Sequence, residues 1–218
     1  MSRKLYVIGV GPGDPELITI KAVNTLHMAD IIACPQSRDG AGIAYNIAKE
    51  AVPEIEKKDM LPLSFPMTRD ETVLSAAHNE AAALIADQID RNKTVALLTL
   101  GDPAFYSSAF YVVDILKNKE YDIEIISGVS SFSSAAAGLV QSLALGDEQV
   151  MITTPQKADF SFPGTIVVLK AGMHLAELKE KITGRDVYLI ENSGMEDEKV
   201  YHDDLPDEAG YLSLLIVK

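Results

Sequence analysis

Short apolar runs alternate along this chain with longer stretches in which apolar residues recur at helical spacing. Leu5-Tyr6-Val7-Ile8, Ile31-Ile32-Ala33-Cys34 and Thr94 to Leu100 are β-leaning runs, and each is followed by glycine or proline within a few residues. Between them, Glu16 to Ala29 places Leu17, Ile18, Ala22 and Leu26 on one helical face, and Ala41 to Val52 does so with Ile43, Ala44 and Ile47. Glu71 to Asp90 predicts a long Ala-rich helix capped by Thr68 or Asp70, and Met60 to Asp70 before it is stiff and proline-rich. Strand alternating with helix predicts an open α/β sheet carrying helices.

The second half has a different rhythm. Phe110 to Lys117 completes a helix, and the polar break Lys119-Glu120-Tyr121-Asp122 suggests a boundary between a domain of residues 1–119 and one of residues 120–218. Ile123 to Ile126 reads as a strand, followed by the small-residue turn Ser127 to Ser134 and an Ala-rich helix at Ala135 to Leu139. Gln149 to Thr154, Thr165 to Lys170, Asp186 to Glu191, Lys199 to His202 and Gly210 to Val217 read as strands, with Ala176 to Ile182 as a helix. Strands so closely spaced predict a mixed sheet with antiparallel members.

Ligands of open α/β sheets sit beyond the carboxyl ends of the strands, which directs attention to Gly101-Asp102-Pro103 after the most apolar run. Glycine admits close backbone approach, Asp102 can cap the following helix, and Pro103 suits that helix's first turn. Taken alone, the tripeptide is better read as a plain strand end that starts a helix. The first turn, Gly9-Val10-Gly11-Pro12-Gly13-Asp14-Pro15, is a poor dinucleotide loop, because Pro12 removes a donor and Asp14 takes the last glycine position. It is also no P-loop, since Gly-Lys-Ser/Thr is missing.

Charge narrows the partners. The 218 residues carry a formal net charge of −13, which opposes binding to nucleic acid or an anionic membrane surface. No apolar run approaches bilayer length, and Leu5 to Ile8 is too short for a signal peptide, so a cytoplasmic location is expected. Cys34 is the single cysteine and reads as a small core residue, and His27, His78, His174 and His202 are scattered, so neither a metal site nor a hydrolytic triad is predicted. What recurs is the backbone-presenting turn: Gly9 to Asp14, Gly101 to Tyr106, Ser127 to Ser131 and Ala171 to Met173. Such turns suit a reaction that needs positioning above all, such as methyl transfer from a sulfonium, where alignment can supply about 7–11 kcal/mol. A non-enzymatic module holding a nucleotide with the same turns is the alternative.

Two stretches carry a resemblance. Val7-Ile8-Gly9-Val10-Gly11-Pro12-Gly13-Asp14-Pro15-Glu16-Leu17-Ile18-Thr19 resembles the N-terminal signature of the tetrapyrrole methylases, and Leu98-Thr99-Leu100-Gly101-Asp102-Pro103 with Tyr106 resembles their second. Ser127 to Phe132 and Glu191-Asn192 follow in the same order, so the resemblance covers nearly the whole chain. Cys34-Pro35-Gln36-Ser37, Phe65 to Asp70 and Gly101 to Ser107 look like the branch that methylates carbon 20 of precorrin-2 or cobalt-factor II. Diphthine synthase is a second branch, with a different sequence around residues 35 to 40.

The resemblance implies two α/β domains with S-adenosylmethionine in the cleft between them, and a homodimer. It implies cofactor contacts at Pro12, Leu100, Gly101, Asp102, Phe105, Ser130, Ser131, Ala171 and Ser193. The implied substrate is an anionic tetrapyrrole whose ring carbon would be the nucleophile, so no catalytic side chain and no metal ligand are expected. Gly11, Gly13, Asp14 and Tyr106 would line the substrate, and Arg38, Arg69 and Lys170 would meet its carboxylates.

Overall fold

The structure, a computed structural model, describes residues 4–37 and 40–218. It divides into two units, Met1–Ser130 and Ser131–Lys218.

The first unit contains β1 (Leu5–Gly9), α1 (Ile20–Met28), β2 (Ile31–Ser37), β3 (Gly40–Ala41), α2 (Ile43–Ala51), β4 (Asp59–Leu63), α3 (Glu71–Asp90), β5 (Val95–Thr99), α4 (Ala109–Lys117) and β6 (Ile123–Ile126). The path β2-β5-β1-β6 is parallel, β4 pairs parallel with β2, and the two-residue β3 pairs antiparallel with the end of β2. Alternation along the strands feeds two cores. Leu5, Val7, Ile31, Ala33, Val95 and Leu97 pack against α3 and α4. Ile8, Ile32, Cys34, Ala96 and Leu98 pack against α1 and α2. A parallel sheet covered on both faces leaves no polar side for its strands, which is why they read as unbroken apolar runs.

Three expectations need correction here. The boundary near residue 120 lies too early: Ile123–Ile126 pairs with β1 from Leu5↔Ile123 to Ile8↔Ile126, so the polar break is an internal turn and the first unit runs to Ser130. That turn is held by Glu120 at φ 62° and by the Tyr121 hydroxyl, which donates to the Asp90 carboxylate at 3.0 Å. The proline-rich segment contains a strand, β4, in which Pro62 lies opposite Cys34. Proline is tolerated there because β4 has a single ladder partner, β2. The first predicted helix is also split. Asp14 accepts the Glu16 N–H at 2.8 Å to start a 3-10 turn over Pro15–Leu17, and Thr19 accepts the Ala22 N–H at 3.2 Å to start α1.

The second unit contains α5 (Ser131–Gly138), β7 (Val150–Thr153), β8 (Thr165–Leu169), α6 (Leu175–Lys181), β9 (Val187–Glu191), β10 (Lys199–His202) and β11 (Ser213–Val217). Its sheet runs β10-β9-β11-β8-β7, antiparallel except for β7 and β8, the mixed sheet predicted. α6 covers one face over Ile166, Val168, Leu189, Leu215 and Val217, and α5 covers the other over Val167, Ile190, Leu214 and Ile216. Among the described residues, no helix is long and apolar enough to cross a membrane.

Candidate functional site

In the first unit the loops after β1, β5 and β6 meet backbone to backbone. Val10 donates to Thr99 O at 3.1 Å, and Gly11 and Gly101 exchange hydrogen bonds in both directions, Gly101 N–H to Gly11 O at 2.7 Å and the return at 3.3 Å. A Cβ on Gly9 would lie 2.5 Å from Gly101 O and 2.7 Å from Gly128 N, so only glycine allows these loops to close. Gly101 differs. Its φ of +69° favours glycine, and a Cβ there would find Val129 O, 4.0 Å away, as its nearest neighbour. Gly101 thus spends both of its main-chain groups on Gly11, and what the corner leaves open is the space at its Cα.

Asp102 corrects an expectation. It caps no helix, because α4 begins only at Ala109. One carboxylate oxygen accepts the Ala104 N–H at 2.7 Å and the other accepts the Gly128 N–H at 3.1 Å, tying the β5 loop to the β6 loop. Ser107 takes over the start of the helix: its hydroxyl accepts the Ala109 N–H at 3.2 Å and lies 2.8 Å from the Thr99 hydroxyl. Between them the chain turns through Tyr106 at φ +49°, leaving Phe105 and Tyr106 42% and 49% exposed at the strand end. Exposed aromatics beside a glycine corner can stack on a flat ligand.

The remaining first-unit candidates differ in their surroundings. Gly11 and Pro12 are buried in the β1 loop, Gly13 and Asp14 follow half-exposed, and the Asp14 carboxylate is engaged in its own capping bond. Leu100 is half-buried beside Gly101, and Ser130 is buried at the end of the unit. Arg69 is exposed, next to Asp70, whose carboxylate caps α3 through Thr72 and Val73. Arg38 lies outside the described residues. His78, which flanks the same segment in sequence, is a packing residue, its ring stacked 4.5 Å from Tyr111. Burial pushes its pKa down, favouring neutral imidazole.

The second unit makes a comparable corner. The chain leaves β8 through Lys170 at φ +59°, whose ammonium lies 5.8 Å from the Tyr211 ring centre, and Ala171 follows fully buried. After β9, Asn192 turns at φ +51°, and the buried Ser193 donates to the Ser131 carbonyl at 3.5 Å. Ser131 and Ser193 thus meet. Sequence reasoning missed Ser213, whose buried hydroxyl accepts the Gly172 N–H at 2.7 Å and donates to Gly210 O at 2.7 Å. It carried no signal, because Ser213 sits in a run that reads as continuous strand.

Reactive side chains are sparse at these corners. Cys34 is buried, and burial pushes its thiol pKa up, away from a thiolate nucleophile. Among the described residues one group of three possible metal ligands occurs, Asp186, His202 and Asp203, all exposed and at the opposite end of β9 from Ser193. What the corners offer is backbone, hydroxyls and aromatic faces, a set for holding and aligning.

Comparison with known proteins gives this arrangement a lineage. Residues 4–208 match the tetrapyrrole (corrin/porphyrin) methylases. A Methanocaldococcus jannaschii protein named probable cobalt-precorrin-2 C(20)-methyltransferase is 36% identical, covering 99% of this chain and 96% of its own length. A Sinorhizobium precorrin-2 C(20)-methyltransferase is 29% identical, covering 98% and 94%. Among solved structures, the uroporphyrin-III C-methyltransferase of Thermus thermophilus in complex with S-adenosylhomocysteine shares the fold with a TM-score of 0.74 at 18% identity, covering 98% of this chain and 96% of that one. With a match of this length and a relative this similar over its whole extent, the chain belongs to the tetrapyrrole methylase family.

Proposed function

We propose that this protein transfers a methyl group from S-adenosylmethionine to carbon 20 of precorrin-2 or its cobalt-carrying form. The observation that carries the reading is the 36% identity, end to end, with a relative named for that reaction. The cobalt-carrying macrocycle is the preferred substrate on the same ground, the relative named for the metal-free one being 29% identical. Neither relative is named as a diphthine synthase or as a non-enzymatic binder.

The residues fit such a donor. A Cβ on Gly101 would find open space, Leu100 and Phe105 offer apolar surface beside it, and Pro12 follows Gly11 of the Gly11–Gly101 bridge. Asp102 acts in this reading by holding the β5 and β6 loops together. Ser130, Ser131, Ala171 and Ser193 complete the cofactor contacts. When bound, S-adenosylmethionine supplies a methyl that leaves a sulfur becoming neutral. The ring carbon is the nucleophile, which matches a site with no activated thiol, and the chain's task is in-line alignment. Arg38, Arg69 and Lys170 pair with the macrocycle's carboxylates, and Gly11, Gly13, Asp14 and Tyr106 line its approach. The enzyme works as a homodimer in the cytoplasm.

Anaerobic incubation with S-adenosylmethionine and each precursor tests this. One macrocycle should become one methyl group heavier, with the label on carbon 20. A methyl on another ring carbon, or none on either precursor, would overturn the reading.

A further inference from the structure

The two strand ends of the second unit are joined by a relay of hydrogen bonds that passes through a residue in no motif. Gly172 N–H donates to the Ser213 hydroxyl at 2.7 Å, that hydroxyl donates to Gly210 O at 2.7 Å, and Gly210 N–H donates to the Glu191 carboxylate at 2.6 Å. Ser213 also accepts the Ala171 N–H through its own carbonyl at 3.2 Å, so one residue fixes two consecutive amides of the β8 loop. Ser213 and Glu191 are direct cross-strand partners in β11 and β9. The next bond, Asn192 N–H to Leu212 O at 2.8 Å, carries the order into the turn that presents Ser193.

Each link has a fixed sense. A hydroxyl has one proton, and with that proton on Gly210 O its lone pairs are left to accept Gly172 N–H. Only glycine fits at 172, because a Cβ there would fall 2.5 Å from Ala209 O. The relay runs from a buried link at Gly172 to an exposed one at Gly210 and Glu191, so losing the central hydroxyl leaves the buried Gly172 N–H without its acceptor and frees the Gly210 loop.

We infer that Ser213, with Glu191, is a positioning residue that sets the Ala171 and Ser193 turns in register for the methyl donor. The inference rests on the methyl-transfer reading above, since Ala171 and Ser193 are donor contacts only in that reading. A purely structural role would lower stability without touching donor affinity, and that difference is measurable.

Calorimetric titration with S-adenosylhomocysteine, alongside steady-state kinetics, makes the test. Ser213→Ala should weaken binding by about tenfold and raise the KM for S-adenosylmethionine by a similar factor, with kcat changing less. Ser213→Thr keeps the hydroxyl, and Glu191→Gln keeps an acceptor for Gly210; both should bind within about twofold of the parent, while Glu191→Ala should weaken binding. Leu178→Ala, in the core on the α6 side, should lower Tm and leave affinity unchanged. If Ser213→Ala does not fold, the Glu191→Ala and Glu191→Gln pair carries the comparison. Parent-like affinity in Ser213→Ala, or in Glu191→Ala where only that variant folds, overturns the inference alone, as does an equal loss in Leu178→Ala. A parent protein that does not bind S-adenosylhomocysteine overturns the methyl-transfer reading with it.

Discussion

The carboxylate of Asp102 receives the backbone N–H of Gly128 at 3.1 Å, joining two loops that are 26 residues apart in sequence. Its other oxygen holds Ala104 N–H at 2.7 Å, so both oxygens act as acceptors at once. An amide side chain cannot copy that, because its NH2 would face a donor. Asp102→Asn and Asp102→Ala should therefore both reduce methyl transfer by about tenfold or more, with Asn no better than twofold above Ala. Activity measured at saturating donor checks the point; a fully active Asn variant would show that one acceptor is enough.

Gly9 sits where three loops close, 2.5 Å of hypothetical Cβ distance from Gly101 O. Gly9→Ala forces backbone against backbone, and the neighbours have no flexible side-chain tip to yield. A loss of roughly 3 kcal/mol or more is expected, read as a large fall in the midpoint of urea unfolding. Gly138→Ala is the control, with open space around its Cα and a helical position, and should be neutral to stabilising.

Glu124 on β6 meets Lys4 at 2.9 Å and Lys21 at 2.5 Å. Hydrogen bonds from Lys21 and then Lys4 pull its pKa from 4.5 down to about 2. A carboxylate depressed in the folded state stabilises fully above its unfolded value and loses that contribution as pH falls through the folded one. The Tm advantage of the parent over Glu124→Gln should hold above about pH 4.5 and vanish by about pH 2. Thermal melts across that range decide it, and added salt should narrow the gap at neutral pH.

Arg69 is exposed and lies beside the α3 cap, so it contributes little to the fold. Arg69→Ala should raise the macrocycle's KM several-fold with Tm unchanged, and Arg69→Lys should recover part of the loss. Unchanged kinetics would remove Arg69 from the site.

How much of this could be read from the sequence depends on where each signal was local. The α3 helix was legible from end to end because Asp70 caps it and its apolar spacing persists to Ile89. The parallel strands were legible because both faces are buried, leaving Val95 to Leu98 without a polar position. β4 was missed since Pro62 argues against a strand until its edge position is known. The domain boundary slipped because a polar turn inside a unit and a linker between units look alike in composition; only the pairing of Ile123–Ile126 with β1 separates them. The glycine corners are visible as motifs, but Asp102 reads as a local helix cap, whereas one of its oxygens reaches Gly128 in another loop. Ser213 could not be found at all, because its meaning lies in contacts to Gly172 and Gly210 that no spacing rule encodes.

The parallel sheet of the first unit has margins that discourage growth. On β4, Pro62 withholds one of the donors that an incoming strand would need; on β6, Glu124 and its two lysines place charge where a neighbour would have to lie flat. A strand from another copy would meet a missing donor at one margin and fixed charge at the other, which lowers the tendency of copies to join through that sheet.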